Sequence, residues 1–426
     1  MTSDPIRYDS LKCLLQYIEF GKRIQLFKRC PAIRTAERSA PLRIESLVFE
    51  NQQLRIDYKN YVIGIYQKCL HGETPRMIQN TNKWGGDEYE IDEYGIRNFN
   101  DNSNMTPGDV RIKGELEGPD IPIERRIAGH QRRVLDYERG LACQREGKPN
   151  RVADRYSERV ILEELDKCRA KLLSYQSFRD NGAPLYENFV QFTIETETGD
   201  PGHIERYRKN DKKYHEAMKM LAIVLFGGRR CPVQVTYFRV TANVLRLPLG
   251  VKFQVNNLSF EEPIGPTILS MSSIIDSSSF PLKCLDVEAF KLEDAVHPVV
   301  RNAEKLCIGG YKIRQNLLLQ ILLSLENIIV HLTNEDFTRQ NLILLIRNWI
   351  ETGRPVGTHY KTDCRNKEEA KHRMKLIGNE FHVEIKEWVA TIPMSDSRQL
   401  VIKCDEYPSE YYWSIEMEVQ DVVKQE

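Results

Sequence analysis

The sequence carries no excess of either charge: 61 Lys and Arg stand against 61 Asp and Glu. Nucleic-acid binding draws on cationic side chains that displace counterions from phosphate, so no dedicated nucleic-acid partner is expected. Long hydrophobic runs are also missing. Mean hydropathy is −0.49. The longest apolar stretches, 221–226 and 342–346, fall far short of the ~18 residues a bilayer span needs, so no membrane partner is expected. No basic segment followed by an apolar run stands near the start, and a signal peptide is not expected. None of the ten cysteines forms a C-x-x-C pair. Scattered thiols without an export signal read as reduced and mostly buried, which points to a cytoplasmic or nuclear chain.

Local catalytic patterns are absent as well. There is no G-x-x-x-x-G-K-[ST], no G-x-G-x-x-G and no H-E-x-x-H. Gly227-Gly228-Arg229-Arg230 follows a predicted helix, whereas a phosphate loop precedes one, so a helix stop is the better reading. No Cys/His cluster has metal-ligand spacing. His359 and Asp363-Cys364 lack any activating partner that sequence can reveal. No catalytic residue, metal or cofactor is expected, and the chain reads as a non-enzyme.

What is present is a recurring triad, apolar-x-x-apolar-x-apolar. It occurs at Val235/Phe238/Val240, Val255/Leu258/Phe260, Leu282/Leu285/Val287, Ala303/Leu306/Ile308 and Leu325/Ile328/Val330. At 41% apolar content single triads arise by chance, so the spacing carries the signal. Successive central residues lie 20, 27, 21 and 22 positions apart, within the ~20–29-residue period of leucine-rich repeats. Two architectures remain open: an irregular leucine-rich-repeat-like strand ladder, or a mixed α/β domain with several short buried strands. In either, the residue before the last apolar position points away from the core, because strand side chains alternate. That nominates Arg239, Ser259, Asp286, Cys307 and Ile329 as target-binding positions.

Along the chain, Leu11, Leu14, Leu15 and Ile18 form one helical stripe, opened by Asp9 or Ser10 and ended by Gly21. A second helix carries Ile24, Leu26 and Phe27, and a third ends before Pro41. Residues 42–66 alternate as strands do. Residues 71–118 are polar and punctuated by Gly and Pro, an irregular connection with short strands near 89–91 and 110–112. Helices are expected at 124–145 and 151–178, the second burying Val152, Tyr156, Val160, Leu165, Cys168 and Leu172. A strand follows at 186–196 and a helix at 210–226. After the ladder, Thr333-x-x-Asp336 resembles a capping box opening a helix over 334–350, stopped by Gly353. The tail holds a helix near 367–376. Three strands are expected with it, around Phe381-Val383-Ile385, Leu400-Ile402-Cys404 and Trp413–Val419.

Two groups of residues carry a resemblance. Leu11-Lys12-Cys13-Leu14-Leu15-Gln16-Tyr17-Ile18, with Gly21, Arg23, Leu26 and Cys30-Pro31, resembles a divergent F-box. Gly72-Glu73-Thr74-Pro75, Thr106-Pro107-Gly108-Asp109-Val110, Tyr214-His215-Glu216-Ala217-Met218, Gly227-Gly228-Arg229-Arg230, Leu245-Arg246-Leu247-Pro248, Phe280–Leu285 and Asn348-Trp349-Ile350 are similar to blocks of the nematode F-box C-type proteins. That family pairs an F-box with an uncharacterised associated domain. The resemblance implies an adaptor that docks on the Skp-type linker of a cullin–RING ubiquitin ligase and selects a protein target. Leu11, Leu14, Leu15, Ile18, Leu26 and Phe27 would bind the linker.

The expected fold class is mixed α+β or α/β. A small F-box-like helical unit (1–41) precedes strand hairpins with a long polar loop (42–120), a helical segment (121–226), and leucine-rich-repeat-like strands with C-terminal antiparallel strands (227–426). The alternative function is a protein-interaction scaffold with no ubiquitin-ligase link. In it the N-terminal stripe simply packs on the chain's own next domain, and the helices cap the ladder.

Overall fold

In a computed structural model of the chain, the described residues are 7–98, 104–114, 121–195, 201–208, 213–309, 313, 315–333, 337–395, 397–406 and 413–422. Contacts divide it into two units. One comprises Met1–Val48, Arg229–Thr241 and Lys252–Glu426; the other comprises Phe49–Gly228 and Ala242–Val251. Mixed α+β structure runs through both, as expected.

The first unit begins with helices α1 (Tyr8–Gln16), α2 (Phe20–Arg29) and α3 (Arg34–Ser39). Leu15 is 0% exposed and packs with Ala36, Ala40, Leu11 and Ile18. Gly21 does not end the first helix. It lies in the first turn of α2, and α1 stops at Tyr17. No side-chain hydrogen bond caps α1, so Asp9 and Ser10 do not play that part. Strand β1 (Arg43–Phe49) follows.

The second unit opens with β2 (Gln53–Ile56) and β3 (Lys59–Cys69), an antiparallel hairpin turning at Asp57, whose φ is 52°. The polar stretch after it is more regular than its composition implied. It holds α4 (Arg76–Lys83), β4 (Glu90–Ile91), β5 (Arg97–Asn98) and β6 (Val110–Arg111). Then come α5 (Ile123–Arg145), the single turn α6 (Arg151–Arg155) and α7 (Glu158–Arg179). The chain is extended at Tyr156 and Ser157, so the helix restarts there and its buried stripe shifts. Ile161, Leu165 and Cys168 are buried, whereas Val160 is exposed. Strands β7 (Tyr186–Glu195) and β8 (Pro201–Arg208) add to β3, giving the order β2-β3-β7-β8. Helix α8 (Tyr214–Phe226) sets Tyr214 into a core of Ile63, Ile65, Ile91 and Val190. It ends at Gly227, followed by Gly228 at φ 70°.

Back in the first unit, β9 (Val233–Val240) starts the ladder. The short β10 (Val244–Leu245) belongs to the second unit and pairs antiparallel with β6 of that same unit. The ladder then continues through β11 (Phe253–Phe260), α9 (Ile264–Met271), β12 (Cys284–Val287), α10 (Pro298–Arg301), β13 (Lys305–Ile308), α11 (Gln315–Ser324), β14 (Ile329–Leu332), α12 (Arg339–Thr352) and β15 (His359–Cys364). All six strands are parallel neighbours in chain order. Parallel pairing needs a crossover between successive strands, and the intervening helices and turns supply it. Phe238, Leu258, Leu285, Leu306, Val330 and Tyr360 stand in one register row, each buried. Burying each such side chain stabilises by about 1.5–3 kcal/mol, so this row fixes the alignment of the whole ladder.

The fifth triad needs its frame moved by two residues. Val330, not Ile328, aligns with Leu306, and Ile328 is 52% exposed. Asn327 takes the first position instead. Its buried amide donates to Val300 O at 2.7 Å and Ala303 O at 3.3 Å, tying two turns of the ladder together.

Helix α12 is capped by Thr338, whose hydroxyl accepts from Asn341 N, and not by Thr333; Asp336 lies outside the described residues. Gly353, at φ 68°, ends it as expected. Helix α13 (Lys367–Phe381) runs on to His382 and takes up Phe381. The first tail strand is therefore the short β16 (Ile385–Lys386), followed by β17 (Val389–Pro393). The last two, β18 (Arg398–Glu406) and β19 (Trp413–Asp421), fall where the alternation placed them. The tail order is β16-β17-β18-β19-β15, with β19 antiparallel to β15. Among the described residues, no helix is long and apolar enough to cross a membrane.

Candidate functional site

The nominated residues fall on two parts of the first unit. The first is the outward row of the ladder. Arg239, Ser259, Asp286 and Cys307 are consecutive register partners on β9, β11, β12 and β13. The parallel pairing thus brings four of the five nominated positions into one line, but Ser259 is buried at 4% exposure and Arg239, Asp286 and Cys307 are half-buried. Ile329 shares their face but pairs with Lys305, one row away, for the same two-residue frame shift. It is 37% exposed. The row continues through residues that the triads did not nominate: His331, Lys361 and Glu416.

Polar contacts run the length of this row. Arg239 Nη2 lies 3.3 Å from Glu261 Oε1 and 3.4 Å from Glu288 Oε1. Ser259 Oγ donates to Asp286 Oδ2 at 3.0 Å. The Cys284 and Cys307 thiols stand 3.6 Å apart. Their shared hydrogen bond holds Cys284 below the ordinary thiol pKa and lifts Cys307 above it. His331 Nε2 meets Asp363 Oδ1 at 3.1 Å. Burial alone would lower His331, but the hydrogen bonds with Asp363 and Cys307 carry it up to about 9. Lys361 Nζ binds Glu416 Oε1 at 2.6 Å, with His359 Nε2 at 3.5 Å from the same carboxylate. The result is a chain of ion pairs and hydrogen bonds along the row. Among the described residues, no three His, Cys, Asp or Glu side chains are grouped to hold a metal.

The second part is the N-terminal helical unit. Leu15 cannot serve as a contact residue: it is sealed in the core, with Leu11 and Ile18 half-buried against it. The exposed positions are Leu14 at 50% and Leu26 at 36%, joined by Tyr17 at 87%. Phe27 is half-buried, its ring 4.1 Å from the Arg38 guanidinium carbon and 5.4 Å from that of Arg34.

A buried cation holds this unit together. Arg23 binds Glu37 Oε1 at 2.9 Å and donates to the carbonyls of Leu15, Pro41, Glu37 and Ala40. The last carbonyls of a helix have no intrahelical partner, and here one guanidinium serves those at the end of α3. Arg229, the residue just after the Gly227-Gly228 stop, places Nη2 2.6 Å from the same Glu37 oxygen. Both guanidinium groups are pushed below the ordinary Arg pKa, by burial first, against the pull of Glu37. Sequence alone gave Arg23 and Arg229 no common purpose, because they lie some two hundred residues apart in the chain.

No curated protein matches the chain. Residues 213–366, from the start of α8 to the end of the parallel ladder, match the family described as Domain of unknown function (DUF3557).

Proposed function

We propose that this chain is a non-catalytic protein-recognition adaptor of the F-box type. The N-terminal helices would dock on a Skp-type linker, and the ladder would hold a protein target. One observation carries the linker half: a helical unit with a complete core of its own leaves Leu14 and Tyr17 in solvent. Large apolar side chains clustered at an exposed helix face mark interaction sites. The match to a domain of unknown function over the ladder is consistent with an associated recognition domain and says nothing of the target.

A second reading is favoured by Arg229. Its contact with Glu37 joins the helices to the segment that opens the ladder. Helices so tied can act as the end cap that a repeat array needs, in a scaffold without any ligase link.

Deleting residues 1–40 would not separate these readings, since it would strand buried Arg229. Co-purification of a Skp-type linker with the full chain, and with Leu14→Asp/Tyr17→Ala, separates them. The adaptor reading expects capture by the wild type and loss in the variant. Absence of capture by the folded wild-type chain supports the scaffold.

A further inference from the structure

The second unit contains a cavity of about 550 Å³ between α4, α5, α7 and the β4–β5 turn. Its charge is one-sided. Arg125, Arg126, Arg133 and Lys171 line it, all on α5 and α7. Among the lining residues the one acid is Asp87, and Arg97 already neutralises it at 2.8 Å. Arg125, Arg133 and Lys171 are exposed and make no ion pair among the described residues.

Two buried polar atoms in the lining lack partners. Gln67 is 7% exposed and its Nε2 donates to nothing. The Nδ1 of His130 is likewise buried and unpartnered. Burial, then the Lys171 and Arg133 charges, pushes the His130 pKa down, as expected in a positive field. Burying the Gln67 donor without a partner costs free energy, which an acceptor-rich ligand would recover.

The wall also carries aromatic rings, with the Arg126 guanidinium carbon 5.8 Å from the Tyr175 ring centroid. The His130 ring stacks on Tyr175, centroids 5.5 Å apart at 25°. Ile78 and Tyr186 add buried apolar lining. A concave site with apolar walls and a few convergent polar groups is the usual form of a small-ligand site.

We propose that this cavity binds an aromatic phosphate monoester. The dianion lies among Arg125, Arg133, Lys171 and the Gln67 amide, and the ring lies against the His130–Tyr175 pair. A phosphate accepts several charge-assisted hydrogen bonds at once, which matches a set of donors with no acid among them. The ester has two possible sources, a free aryl phosphate or a phosphotyrosyl side chain.

The test is calorimetric titration of the full chain with phenyl phosphate, inorganic phosphate, phenol and a phosphotyrosyl peptide. Phenyl phosphate is expected to saturate one site, more tightly than inorganic phosphate, and phenol not to bind. Arg133→Gln and Lys171→Gln should each weaken binding about tenfold. Arg132→Gln, on the same helix but outside the lining, should leave it unchanged. Tighter binding of the peptide identifies a protein source, and its exclusion identifies a small molecule. No saturable binding to chain with wild-type circular dichroism overturns the proposal, as does an equal loss in Arg132→Gln. Equal affinity for inorganic and phenyl phosphate overturns the aromatic part.

Discussion

Leu14 and Leu15 are adjacent in sequence and opposite in circumstance, and substituting each in turn separates packing from docking. Leu15 is fully buried against Leu11, Ile18, Ala36 and Ala40. Leu15→Ala removes its buried methyl groups and leaves a cavity that the surrounding structure fills only in part. A loss of about 3 kcal/mol is expected, within the range measured for such truncations. For a unit of this size about 2–4 °C is lost per kcal/mol, so the melting midpoint should fall by roughly 6–12 °C. Leu14 is half exposed, and Leu14→Asp should stay within about 0.5 kcal/mol of wild type. Linker capture should show the reverse order: abolished by Leu14→Asp, and kept by Leu15→Ala below its melting point. Thermal denaturation and quantitative co-purification read the two effects on the same samples. A large stability loss in Leu14→Asp, or undiminished capture, would refute the assignment of this face to docking.

Arg23→Met leaves Glu37 and several helix-end carbonyls buried with a partner removed, so about 3–5 kcal/mol should be lost in urea denaturation; a loss under about 1 kcal/mol would mean that water relieves the site. Asn327→Ala orphans the carbonyls of Val300 and Ala303 and should cost about 1–3 kcal/mol, read the same way. The folded pKa of His331, about 9, lies above its ordinary value. The stability it contributes is therefore fully present below about pH 6.5 and lost as pH rises through about 9. Denaturation midpoints across that window should fall in the wild type and flatten in His331→Gln, and parallel curves would exclude His331 as the cause.

Period and spacing revealed the ladder because its constraint is repetitive. One buried row recurs on each turn, so Phe238, Leu258, Leu285 and Leu306 announce themselves together. The scheme slipped where the row is not aliphatic at every position. Asn327 does a leucine's structural work with hydrogen bonds, which shifted the fifth triad onto Leu325 and hid His331. Helix α11 went unread although Leu318, Ile321 and Leu322, all buried, keep helical spacing; surrounding leucines blurred the stripe. The Arg23–Glu37–Arg229 group left no trace, since a buried ion cluster joins residues through space and has no period. The basic cavity was invisible for a related reason. Arg125, Arg133 and Lys171 read as the solvated side of charged helices until α5 and α7 turn them toward one hollow.

The outward row also constrains how a target would be held. Its cations are already paired: Arg239 with Glu261 and Glu288, His331 with Asp363, Lys361 with Glu416. A partner gains little by offering one more counter-charge to groups that are already paired, because it must compete with contacts it displaces. Matched rows of this kind set orientation and reject wrong partners more than they supply affinity. The binding energy would then come from apolar contact, and on this face Ile329, 37% exposed, has area to give. On the proposed reading, the polar line would fix the register of a target, and exposed Ile329 beside it would supply apolar contact.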